Sequence, residues 1–218
     1  MGKVGFIFDL DGVIVDTAKY HYLAWRKLAN ELGFEFTKEQ NELFKGVSRK
    51  RCLEILLDIG NVKATQKQFD TWMIEKNLDY LAYIEKMDAR EILPDVPRVL
   101  NFLKERNIPI ALGSASKNAQ TILEKVGLLS YFDSIVDGNN VTKAKPDPEV
   151  FLIAAKLLNV APEDCIVFED SVAGVEAANF ANMISIGIGS KDVLGHAKYV
   201  FNDFTEISED FIEQLINE

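Results

Sequence analysis

Short apolar runs, each followed by a stretch of helical character, recur along the chain and limit how it can fold. The runs are Val4–Leu10, Ile108–Leu112, Ser134–Val136, Ile166–Phe168 and Ile184–Ile188. They are rich in Val, Ile and Phe and show little polar alternation, which suits strands covered on both faces, as in a parallel sheet. The intervening segments carry helix end signals. Ser116 can cap a helix over Lys117–Val126 that Gly127 stops, and Asp147-Pro148 can open one over Glu149–Leu158. Alternating strand and helix predicts an α/β, doubly wound parallel sheet.

One segment breaks this rhythm. From Thr17 to Arg90 no strand pattern occurs, and the periodicity predicts amphipathic helices over Ala18–Leu32, Lys38–Leu43, Arg49–Ile59 and Gln66–Met87. Because this segment follows the first strand directly, it reads as a helical insertion. The expected division is residues 1–16 and 91–218 for the sheet unit and 17–90 for the insertion, with crossings near Asp16–Thr17 and Arg90–Pro94. The tail, Tyr199–Glu218, predicts a last short strand and an acidic amphipathic helix.

The balance of 24 Lys and Arg against 34 Asp and Glu gives a net charge of −10. Such a surface is a poor partner for nucleic acid or anionic membranes, so any anion must be met by a local positive pocket. Cys52 and Cys165 match no metal spacing, and Cys165 opens an apolar run as a small core residue. No apolar stretch reaches membrane-spanning length, and none reads as a signal peptide. The expectation is a soluble, cytoplasmic monomer.

Parallel sheets of this kind bind ligands beyond the carboxyl ends of their strands. The first run ends in Asp9-Leu10-Asp11-Gly12, the second in Gly113-Ser114-Ala115-Ser116-Lys117-Asn118, and the fourth in Glu169-Asp170-Ser171. The loop after the third run carries Lys143-Ala144-Lys145-Pro146. Residues i and i+2 of an extended chain share a side, so Asp9 and Asp11 repel unless something offsets their charge. The oxygen donors Asp9, Asp170 and Glu169, with no His or Cys among them, favour a hard cation. Mg2+ fits if a phosphate supplies a further ligand. Ser114 and the helix start at Ser116–Asn118 offer hydroxyl and N–H donors to a phosphate, and Lys145 offers positive charge. Carboxylate, cation and positive clamp together describe a phosphoryl-transfer site.

Asp9-Leu10-Asp11-Gly12-Val13, Ser114, Lys145-Pro146 and Glu169-Asp170, in that order, resemble the four motifs of the haloacid dehalogenase superfamily. The helical insertion resembles that superfamily's small cap domain on a Rossmann-like core, so the resemblance covers essentially the whole chain. Asp16-Thr17-Ala18-Lys19-Tyr20-His21 with Ala24-Trp25, then Lys45-Gly46-Val47-Ser48-Arg49, and Ser114–Asn118 are similar to the superfamily's hexose-phosphate mutases. Such enzymes interconvert β-glucose 1-phosphate and glucose 6-phosphate through glucose 1,6-bisphosphate. The resemblance implies that Asp9 is the nucleophile and Asp11 the general acid/base. Asp9, the backbone carbonyl of Asp11 and Asp170 would hold Mg2+, with Glu169 beside them. Ser114 and Lys145 would hold the transferring phosphate. Arg49, with Lys45, Ser48, Ala115, Ser116, Lys117 and Asn118, would serve the second phosphate. His21, Gly46, Val47 and Lys76 would contact the sugar or position Asp11, and Asp16 and Thr17 would form a hinge.

Several of these residues also have plainer readings. His21 shares a helical face with Trp25, Leu28 and Leu32, as a packing residue would. Arg49, Lys45 and Lys117 read in isolation as solvated charges, and Lys76 lies in a charged helical stretch. Thr17 reads as the cap of the first insertion helix. Relatives often carry Gly where this chain has Asn182, which can take the same left-handed conformation. Dehalogenation and phosphonate hydrolysis have no use for Asp11. A sugar-phosphate phosphatase, with water as acceptor, shares every core motif with a mutase. A non-enzymatic sugar-phosphate-binding protein would have no need of Asp9 and Asp11 together.

Overall fold

The computed structural model describes residues 4–44 and 47–217. Its sheet comprises β1 (Gly5–Phe8), β2 (Ile110–Gly113), β3 (Ser134–Val136), β4 (Cys165–Glu169), β5 (Ile184–Ile188) and β6 (Tyr199–Phe201), in the spatial order β3-β2-β1-β4-β5-β6. Every pairing is parallel. The chain winds outward from β1 to one edge, then returns to β1's other side with β4. This is the doubly wound, Rossmann-like arrangement, and its switch point lies at β1.

Strand alternation divides the interior. Phe6 and Phe8 of β1, with Ile166 and Phe168 of β4, face a cluster completed by α5 (Val96–Glu105), α6 (Ala119–Lys125) and α10 (Glu209–Asn217). Phe8 and Phe168 stack there with ring centroids 4.8 Å apart. Ile7 and Val167 face the opposite cluster, built with α7 (Glu149–Leu158) and α8 (Val172–Phe180). A short α9 (Lys191–Leu194) precedes β6.

Between β1 and β2 lie α1 (Ala18–Glu31), α2 (Lys38–Asn41), α3 (Arg49–Ile59) and α4 (Gln66–Ile84). Trp25, Leu28, Phe36, Leu53 and Leu56 are buried among these helices in an apolar cluster of their own. The outgoing and returning strands are tied together where the insertion leaves the sheet. Asp16 N–H donates to the Glu91 carbonyl at 2.9 Å and Leu93 N–H to the Ile14 carbonyl at 3.0 Å. The Lys19 amine and the Tyr20 hydroxyl both donate to the Glu91 carboxylate.

Among the boundaries that differ from the sequence reading, three have identifiable reasons. β1 stops at Phe8, because Ile14 and Val15 turn their N–H groups back onto the Leu10 carbonyl and coil the chain. α6 begins at Ala119, not Lys117. The Ser114 hydroxyl accepts from Ser116 N–H and the Ser116 hydroxyl from Asn118 N–H, and these bonds hold a loop in place of a helical turn. α4 ends at Ile84, where Lys86 and Met87 N–H groups bond three residues back. Asn182 takes the expected left-handed conformation with φ 58°.

Candidate active site

The carboxyl ends of β1, β2 and β4 and the facing side of the helical insertion enclose a cavity of about 410 Å³. Asp9, Asp11, Ser114 and Asp170 line it from the sheet, together with the loop Ala115–Asn118. His21, Val47, Ser48, Arg49 and Lys76 line it from the insertion. Lys45 and Gly46 lie outside the described residues. Asp16 and Thr17 sit at the outgoing crossing and do not line the cavity.

The coil after β1 explains how two neighbouring aspartates serve one space. Leu10 points into the sheet's core while Asp9 and Asp11 both face the cavity. Asp9 N–H still donates to the Phe168 carbonyl at 3.0 Å, which fixes it against β4. Gly12, at φ +84°, lets the chain pass under Asp170. A methyl at that position would lie 2.1 Å from Asp170 Oδ2, so the glycine makes room for that carboxylate.

Behind Asp9 is a buried charge cluster. Lys145 Nζ donates to Asp9 Oδ1 at 2.6 Å, to Glu169 Oε1 at 2.5 Å and to the Gly113 carbonyl at 3.1 Å. Glu169 Oε2 accepts from the backbone N–H and hydroxyl of Ser171, at 2.8 and 2.9 Å. Burial opposes the charge on Lys145, but Asp9 and Glu169 outweigh it and hold its pKa above the ordinary lysine value. Burial raises Asp9 to about 7; Lys145 works against that shift, and Glu169 and Asp11 add to it. Lys145 does not fully offset the effect of burial on Asp9.

Glu169 departs from the sequence expectation. Its two oxygens are committed to Lys145 and Ser171, and it does not reach the cavity wall. Asp9 and Asp170, by contrast, both line the cavity. Accordingly, no three His, Cys, Asp or Glu side chains converge as a cage among the described residues.

Asp11 has a different environment. Burial raises its pKa, and a hydrogen bond from the Thr17 hydroxyl works against that rise. Thr17 occupies the N-cap position of α1 but makes no side-chain cap there, because its hydroxyl goes to Asp11. Ser48, in contrast, does cap: it accepts from Arg51 N–H at the start of α3.

On the insertion side, Lys76 is buried, with 1% of its surface exposed. Its Nζ lies 4.5 Å from the Trp25 ring centroid, 4.7 Å from that of Tyr80, and 3.0 Å from His21 Nδ1. Burial lowers its pKa to about 7, and Arg49 adds to the effect. His21, stacked on Tyr80, is pushed well below its ordinary value by burial and by the two cations. Arg49 is half-buried, and burial lowers its pKa with no carboxylate among the described residues to offset it. Asn118 bridges the two sides by donating to Asn77 Oδ1 at 3.3 Å.

A test of the Lys76 environment follows from its pKa. In the unfolded chain the amine holds its proton up to about 10.5, but in the fold only to about 7. Between these values the folded protein binds fewer protons, so stability rises with pH across that window. Lys76→Met is expected to melt higher than the wild type in ligand-free protein near pH 7, with the gap narrowing toward pH ~10. Melting curves at both pH values check this, and a pH-independent gap would refute the strained amine.

A family model for the haloacid dehalogenase-like hydrolases matches residues 4–182. The chain belongs to this family. Among its relatives is the β-phosphoglucomutase of Bacillus subtilis, 39% identical over 95% of this chain and 93% of that protein. A phosphorylated carbohydrates phosphatase of Thermotoga maritima is 34% identical over 81% of each. A fructose-1-phosphate phosphatase of Escherichia coli is 30% identical over 84% of this chain and 95% of that one. A crystal structure of the β-phosphoglucomutase from Clostridium difficile superposes with a TM-score of 0.93 at 41% identity, covering 99% of this chain and 97% of that one. The haloacid dehalogenase-like fold and a sugar-phosphate enzyme are therefore common ground for this chain. These relatives include both a mutase and phosphatases. No helix among the described residues is long and apolar enough to cross a membrane.

Proposed function

We propose that the protein is a β-phosphoglucomutase, interconverting β-D-glucose 1-phosphate and glucose 6-phosphate through an aspartyl-phosphate enzyme and glucose 1,6-bisphosphate. Residues 17–90 act as a cap domain over the core formed by 1–16 and 91–218. The observation that carries this reading is Arg49: a half-buried cation without a carboxylate partner among the described residues, on the wall of the same cavity as Asp9. A phosphatase needs an anion subsite only at the nucleophile. A mutase must hold a bisphosphate in two orientations, so it needs a second subsite, and a guanidinium fork suits that phosphate.

In this reading an Asp9 oxygen attacks phosphorus while the bond from phosphorus to the sugar oxygen breaks. Asp11, whose burial favours the protonated form, delivers the proton to that oxygen, and in the reverse direction takes it from the attacking hydroxyl. Thr17 orients the Asp11 carboxyl. Ser114 holds the transferring phosphate, joined by Lys145 once it releases one of its three present partners, and Arg49 with Ser116, Lys117 and Asn118 holds the other. Closure of the cap, pivoting near Asp16 and Thr17, excludes water from the aspartyl phosphate.

The donor set fits Mg2+. Asp9 and Asp170 are hard oxygen ligands facing one cavity, and the backbone carbonyl of Asp11 lies in the same coil. Burial is the main cause of the raised pKa of Asp9, and a cation beside it would favour the charged form. When bound, Mg2+ supplies charge neutralisation for the nucleophile and the transferring phosphoryl group.

The deciding experiment supplies Mg2+, β-glucose 1-phosphate and a trace of glucose 1,6-bisphosphate. The expected product is glucose 6-phosphate with little inorganic phosphate. Stoichiometric phosphate release without isomerisation would overturn the mutase reading in favour of the phosphatase activity named for two of the relatives.

A further inference from the structure

One polar side chain on the cavity wall is left unused by the packing. Asn41, the last residue of α2, lines the cavity with 8% of its surface exposed. Its backbone N–H donates to the Thr37 carbonyl at 3.1 Å. Its side-chain Oδ1 is buried and accepts no hydrogen bond among the described residues. The surroundings are apolar: Trp25, Phe44 and Cys52 line the same region and belong to the insertion's own core. The adjacent Gln40 differs, since its side chain accepts from Thr37 N–H at 2.9 Å in a reciprocal capping box.

A buried amide oxygen without a donor has lost its bond to water and gained nothing in return. Packing alone would favour a leucine of similar volume at this position. The oxygen is closed off from the cavity as the side chain stands, so the group is explained if a partner arrives with the ligand and the amide turns toward it. The amide comes from the helical insertion, whereas the candidate nucleophile comes from the sheet, so its partner belongs to the part of the ligand away from the transferring phosphoryl group. The chemistry required is an O–H donor beside an apolar ring face, which a hexose supplies.

We infer that the Asn41 amide accepts a hydrogen bond from a ring hydroxyl of the sugar phosphate and thereby selects for a hydroxylated ring at that position. This rests on the reading of the cavity as a sugar-phosphate site. A half-turn of the amide exchanges oxygen and nitrogen, so the same residue can also donate to a hydroxyl oxygen. A site that hydrogen-bonds a particular hydroxyl discriminates strongly against the analogue lacking it.

The test combines Asn41→Leu with ring-deoxy analogues of glucose 6-phosphate, measured by calorimetric binding. The ligand-free variant is expected to melt at or above the wild-type temperature, because an unpartnered polar group has been removed. Its affinity for glucose 6-phosphate is expected to fall about ten- to a hundredfold. For one deoxy analogue the variant and the wild type should bind alike, since the partner hydroxyl is already gone. An equal loss across the whole analogue series, or no loss for glucose 6-phosphate, would overturn the inference. Asn41→Ala provides the same comparison if the leucine variant fails to fold. A wild type that binds no hexose phosphate would remove the site reading and this inference with it. A wild type that binds normally, beside a variant that binds equally well, would remove only the role of Asn41.

Discussion

Asp9→Asn is expected to abolish turnover, by about 10⁴-fold or more, while leaving the fold in place. An amide oxygen can still accept from Lys145, which keeps its second carboxylate partner in Glu169. The buried charges therefore stay compensated, and the melting temperature should change little. The distinguishing measurement is intact mass after acid quenching of enzyme mixed with glucose 1,6-bisphosphate. Wild-type protein should gain one phosphoryl group and Asp9→Asn none. Detection of the modified form in the variant would place the nucleophile elsewhere. Loss of activity with an unfolded variant would contradict the charge argument.

Lys145→Met should have the largest effect on stability. The lysine side chain is 2% exposed and is the shared cation of Asp9 and Glu169. Removing it strands two buried carboxylates, a change that costs about 3–5 kcal/mol in comparable buried pairs. The sign of the pH dependence is fixed by Asp9. Its carboxyl, already raised to about 7 by burial, loses the opposing influence of Lys145 and rises further in the variant. Wherever the unfolded carboxyl is ionised and the folded one is not, stability falls as pH rises. In the wild type that fall ends near pH 7, whereas in the variant it continues above. The gap between the two proteins should thus widen from about pH 5 to about pH 8, read by chemical denaturation at each. A gap that narrows or stays constant would show that Lys145 stabilises chiefly by packing on Phe151, whose ring centroid is 4.7 Å from Nζ.

Much of this arrangement was legible because alternation in strands is strict. Ile7 and Asp9 share one side, as do Val167 and Glu169, and that side is the one α7 covers. A lysine in the loop just before α7 is then well placed to meet both acids. Glu169 is held away from the cavity by its bonds to Lys145 and Ser171, which the bare Glu-Asp pair does not reveal. Lys76 was harder to read. Glu75-Lys76-Asn77 looks like a solvated stretch, yet Lys76, Tyr80 and Ile84, spaced four apart, form the buried stripe of α4. That spacing was available in the sequence, but a lysine in a buried stripe runs against composition and is decided by the Trp25 and Tyr80 rings it meets. Thr17 carried a correct positional signal, since it does precede α1. Its hydroxyl nonetheless bonds Asp11, because only the folded coil brings that carboxylate alongside. Asn41 gave no sequence signal at all, since its unmet oxygen exists only once α2 is packed.

The ties between Asp16 and Glu91 and between Ile14 and Leu93 have a consequence for how such a protein diversifies. The helical segment leaves and rejoins the sheet at one bonded junction, and Ala24, Tyr80 and Ile84 pack it onto the sheet's cluster beside that junction. Because both crossings meet at that junction, changes of length farther out, in the helices' own cluster, leave in place the strand ends that carry Asp9, Ser114 and Asp170. On the proposed reading, a segment transplanted from a relative at this junction would keep the phosphate chemistry of the sheet's rim and exchange the choice of acceptor.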